Sequence, residues 1–122
     1  MTTDDHAMTV VTALIRPQME GHVVRALHDI SPFPGFSLME VRGQGRGRGA
    51  GGAYTATEYD FMYHTHLQLQ MVCPTAAAPD ICRMIAMAAW TGQKGDGVIF
   101  TTVATSFMRI RETGEQAREA PR

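Results

Sequence analysis

No stretch of this 122-residue chain approaches the roughly 20 consecutive apolar residues that a membrane-spanning helix requires, so no membrane insertion is expected. Cysteine is scarce. Cys73 and Cys82 stand nine positions apart with Pro74 and Pro79 between them, which fits neither a CxxC redox pair nor a zinc knuckle. Both read as small buried thiols. Serine occurs only at positions 31, 37 and 106, none in a nucleophile elbow, so hydrolase chemistry has no support and no enzyme activity is expected. Neither sign of charge dominates: 11 Lys and Arg against 12 Asp and Glu leave a net charge of −1, with no global pull toward nucleic acid or anionic membrane. The opening residues Met-Thr-Thr-Asp-Asp-His are acidic and polar, unlike a signal peptide, and a cytoplasmic location is the expectation. A hydrophobic content of 44% with 19% charged residues is ordinary for a globular protein, and the length predicts one domain over residues 1–122.

Met8 to Ile15 is β-branched and apolar, hence a buried strand, ended by Arg16-Pro17. Met19, Val23, Ala26, Leu27 and Ile30 mark one face of an amphipathic helix over 18–30. Ser31-Pro32-Phe33-Pro34-Gly35 is a turn, and Phe36 to Arg42 a second strand. Residues 43–52 hold six glycines and predict a long mobile loop running on to Thr57. The strand pattern resumes from Glu58 to Val72, clearest where Leu67, Leu69 and Met71 alternate with His66, Gln68 and Gln70. Thr75 is placed to N-cap a second helix whose buried side carries Ile81, Met84, Ile85, Ala88 and Ala89. Val98 to Ala104 is the fourth strand; residues 1–7 and 116–122 are expected to be disordered. The order β-α-β-(long loop)-β-α-β, with right-handed crossovers, predicts an α+β, ferredoxin-like sandwich. Its helix-free sheet face carries more apolar surface than a lone domain exposes, so an oligomer is expected.

Three segments carry candidate chemistry. Thr91 to Phe100 packs three glycines, a threonine, a lysine and an aspartate between a helix and a strand. Such a loop can turn several amides inward as an anion nest, with phosphate the usual guest; a glycine after a helix is equally the commonest C-cap. The Gly/Arg loop holds only Arg46 and Arg48 as cations and no aromatic within 43–52, which weighs against a nucleic-acid segment. Gly45-x-Gly47-x-x-Ala50 lacks the following helix that a dinucleotide fingerprint needs. A flexible arm remains. Arg109 and Arg111 flank Ile110 in what reads as an extended segment, either two forks on one polyanion or a solvated pair on an edge strand. His64 and His66 would share one face of a strand and are a candidate metal pair, although no third ligand is evident.

Together, Thr91 to Phe100, Arg109 to Glu115 and Glu40 to Gly47 resemble the PII signal-transduction family, and the resemblance runs from residue 8 to residue 118. It implies a homotrimer with an adenine nucleotide in each intersubunit cleft. Thr91, Gly92, Lys94, Gly95, Asp96 and Gly97 would then wrap the phosphates, with Arg109 and Arg111 reaching in from the neighbouring subunit. Gly43, Gly45, Arg46 and Gly47 would form the base of an effector loop over 43–57, and Ser37 would meet the base. Members of the family gate transporters or enzymes through that loop, so a transporter is the implied partner. The chain departs from the family at Gly47, where a glutamine serves magnesium and 2-oxoglutarate, and at His64-Thr65-His66, where a lysine stands. It departs again at Gln93 and Val98, both near family lysines. These losses argue against 2-oxoglutarate sensing and leave ATP, ADP or AMP as the implied guests, with magnesium as a possible companion. Tyr54 lies close to the family's modifiable tyrosine and is a candidate for modification. The alternative is a metal-responsive binding protein using His64 and His66.

Overall fold

The computed structural model describes residues 7–44 and 63–119. Four strands, β1 (Met8–Ile15), β2 (Ser37–Gly43), β3 (His64–Pro74) and β4 (Gly97–Ala104), form one sheet in the order β2-β3-β1-β4, every neighbouring pair antiparallel. Helices α1 (Glu20–His28) and α2 (Ala78–Ala89) provide the crossovers, which gives the expected ferredoxin-like arrangement; a further helix, α3 (Ile110–Glu119), follows β4.

The strands earn their positions by burial. On β1, Thr9, Val11, Ala13 and Ile15 face the helices, and β3 presents Leu67, Leu69, Met71 and Cys73 to the same side. Val23 and Leu27 of α1, with Ala78, Ile81, Ile85 and Ala89 of α2, close the core at helical spacing. Each crossover helix opens through a 3₁₀ turn, Pro17–Met19 before α1 and Thr75–Ala77 before α2. Pro17 and Pro79 suit these first turns because the amide they lack would have no helical partner there. Burial pushes the Cys73 thiol up from its ordinary range, with a further push from Cys82, and raises Cys82 as well, in keeping with inert thiols.

Three local expectations are corrected. Thr75 does not cap α2: its hydroxyl pairs with the Thr9 hydroxyl at 2.8 Å, and Ala77 stands at the helix start without a side-chain cap. The segment around Ile110 is not a continuous extended run, because α3 begins there. Residues 116–119, expected to fray, continue that helix. Its Arg111 and Glu115 approach to 3.9 Å one turn apart, and none of its residues is buried.

The sheet face away from the helices is open. Met39 on β2 and Val98 and Phe100 on β4 are each at least half exposed there, beside Leu14, Val41 and His66. The sheet thus has one face packed and one unpartnered, and the 91–96 loop lies at the end of the sheet where Arg16 leaves β1.

Candidate functional site

The loop joining α2 to β4 begins at Trp90, whose extended backbone breaks the helix. Glycine is required where it ends. Gly97 has φ +113°, and a Cβ there would lie 1.7 Å from the Leu14 carbonyl oxygen, so no side chain fits the start of the β1–β4 pairing. Gly92, at φ +85°, lies under the Trp90 ring, which a Cβ would meet at 2.9 Å.

Between these glycines the loop closes on itself around one carboxylate. Asp96 accepts hydrogen bonds from the Thr91 amide at 2.8 Å, the Gly92 amide at 3.0 Å and the Thr91 hydroxyl. The Gln93 amide donates to the Thr91 hydroxyl at 3.2 Å. From outside, the Arg16 guanidinium donates through Nε to Asp96 at 2.9 Å and through its other arm to the Lys94 carbonyl. His66 on β3 places Nε2 3.4 Å from the Gly95 carbonyl. The hydroxyl and amide of Thr91, then Arg16 and the Gly92 amide, hold the Asp96 carboxyl well below the usual carboxylate range. Lys94 is exposed at the tip.

The anion nest anticipated from the glycines is therefore present, and its occupant is the chain's own Asp96. The Thr91 and Gly92 amides are already engaged, so Asp96 acts in this geometry as the loop's organiser. The Lys94 side chain is exposed on the same turn. The helix itself ends at the extended Trp90, and the residues after it form a turn closed on Asp96. A hollow of about 290 Å³ lies alongside, walled by Trp90, Asp96, Gly97, Val98 and Ile99.

The other anticipated residues are spread over the sheet. Gly43 pairs with His64 at the loop end of the sheet, while Ser37 pairs with Gln70 further along β2 on the open face. Arg109 stacks its guanidinium 5.3 Å from the Phe107 ring, and its carbonyl accepts from the Thr113 amide at 2.9 Å. Arg111 points from the first turn of α3. The two arginines are thus not two forks on one strand face, since Arg109 precedes α3 while Arg111 lies in its first turn. Gly97 lies opposite Ile15 and Ala104 opposite Met8, so the eight-residue β4 separates the loop from the chain leading to Arg109. That run spans about 24 Å. Within one chain, Lys94 and Arg109 leave opposite ends of the sheet.

Gly45, Arg46, Gly47 and Tyr54 lie outside the described residues. Among the described residues no group of three or more His, Cys, Asp or Glu is placed to hold a metal, and His66 is turned toward Gly95. No helix among the described residues is long and apolar enough to cross a membrane. Sequence inspection missed Arg16, which read only as a strand stop; the signal was there in an arginine placed immediately before a proline at the end of a central strand.

Comparison with known proteins gives a consistent answer. The family model described as "Nitrogen regulatory protein P-II" matches residues 8–114. The chain is 31% identical over 117 residues to the nitrogen regulatory protein GlnK2 of Haloferax mediterranei, covering 96% of this chain and 94% of that protein. Its fold is similar to that of Arabidopsis thaliana PII bound to citrate, with a TM-score of 0.68 and 23% identity over 89% of this chain and 92% of the other.

Proposed function

The chain belongs to the nitrogen regulatory P-II family, and on that premise we propose that it is a non-enzymatic regulator binding an adenine nucleotide between the subunits of a homotrimer. The observation that carries this reading is the placement of the preformed turn at 91–97 and the Arg109 segment at opposite ends of β4. One copy cannot close both around a single phosphate chain. A second copy docked on the open sheet face supplies the missing half, and burial of Val98, Phe100 and Met39 stabilises that docking.

In this arrangement Lys94 meets the phosphates from the turn, and Arg109 and Arg111 of the partner subunit meet them from the other side. Ser37 and Gly43 line the approach, and Gly45, Arg46 and Gly47 are assigned to the same site by the family pattern alone. Gln93 and Val98 supply no cation, so the site takes a diphosphate or monophosphate as readily as a triphosphate. The segment 43–57 then reports occupancy to a partner protein, with a membrane transporter as the expected class, because a nucleotide that favours one loop state shifts the population toward it.

Isothermal titration with ATP, ADP, AMP and a cyclic nucleotide tests the proposal; heat is expected with at least one, and none with any would end it. Arg109→Ala is expected to weaken binding in the oligomer by about 1.5–3 kcal/mol, the usual worth of a charged hydrogen bond.

A further inference from the structure

We infer that Arg16 is the positioning residue of the 91–97 loop: it sets the shape of the turn and cancels the charge of Asp96, so that the turn can receive an anion. The anion part rests on the nucleotide reading above; the shape part does not. Three observations support it.

First, Arg16 is itself rigidly presented. It follows the last residue of the central strand β1 and is held extended at φ −66°, ψ 139°, the conformation that Pro17 imposes on its predecessor. Second, its fork contacts the loop twice, at the Asp96 carboxylate and at the Lys94 carbonyl. A Cβ at Gly95 would sit 3.3 Å from the same guanidinium, so the arm lies directly along the turn. Lys94 is the chain's only lysine, and the contact to its carbonyl fixes the backbone from which that ammonium projects. Third, Asp96 would otherwise oppose the proposed guest. Its negative charge sits in the turn at which a phosphate would arrive, and Arg16 is the cation paired with it, with both side chains about a fifth exposed (22% and 23%). A lysine at position 16 would keep the charge without the planar two-armed geometry, which makes the fork and the charge separable by substitution.

The test uses the full chain and two readouts. Trp90 is the single tryptophan; it is 70% exposed and its ring edge lies against Gly92, so the change in its quenching by acrylamide on losing that contact reports loop opening without any ligand. Arg16→Lys and Arg16→Gln are expected to raise quenching alike while far-UV circular dichroism stays that of the wild type. ATP affinity is expected to fall about tenfold in Arg16→Lys and further in Arg16→Gln. Asp96→Asn, which weakens the same contact from the other side, should raise quenching too and covers the case in which a position-16 variant fails to fold. Arg16→Lys with wild-type quenching would overturn the inference. If the wild type binds no adenine nucleotide, the proposed function fails while quenching still decides the part played by Arg16.

Discussion

At the scale of single residues, two atoms of backbone and one carboxylate define the loop. Gly97 meets the Leu14 carbonyl so closely that Gly97→Ala must both adopt a strained φ and displace β4 from β1. The expected loss is about 2–5 kcal/mol in chemical denaturation. Asp96 adds a pH dependence whose sign follows from its lowered pKa. The folded carboxyl stays ionised below the pH at which an unfolded aspartate protonates, about 3.9, so its contribution is complete above that value and declines as the pH falls further. Trp90 fluorescence should show an acid transition below about pH 4, and the Asp96→Asn protein should lack it. An acid transition that persists in the Asp96→Asn protein would contradict this role. The glycines of this loop were legible from sequence because positive φ has few alternatives. The destination of the Asp96 carboxylate was not, because Arg16 is 80 residues away in the chain and the two meet only once β1 and β4 pair.

At the scale of elements, periodicity read well wherever one face is buried. The alternation of Leu67, Leu69 and Met71 and the helical spacing of Ile81 and Ile85 survive in β3 and α2 because the core enforces them. It failed where nothing is buried. Phe107, Arg109 and Arg111 alternate like a strand, yet α3 starts at Ile110 and buries none of its ten residues. Ten residues with Gly114 in the middle are short for a helix in water without a tertiary contact. Strand β4 gives the sharper prediction. Phe100 is half exposed on the open face, opposite Thr12. Phe100→Glu should leave the monomer fold intact, since it removes no helix-side contact, and abolish the oligomer in light scattering after gel filtration. An unchanged oligomer would show that this face is not the docking surface.

At the scale of the whole molecule, the sheet separates the two halves of the proposed site by the length of β4, and only assembly brings them together. The sequence order of the motifs carried the family, while their separation along one strand became visible only with the register in hand. The direct test of a shared cleft is subunit complementation. Lys94→Ala and Arg109→Ala should each bind adenine nucleotide poorly as homo-oligomers. When the two are unfolded together and refolded as a mixture, a cleft with both residues intact forms wherever an Arg109→Ala loop faces a Lys94→Ala neighbour. Random assembly puts this at about a quarter of clefts. Recovery of about that fraction of wild-type-affinity sites by titration is the predicted result; a mixture that binds no better than its two parents, beside a wild type that binds, would contradict the account.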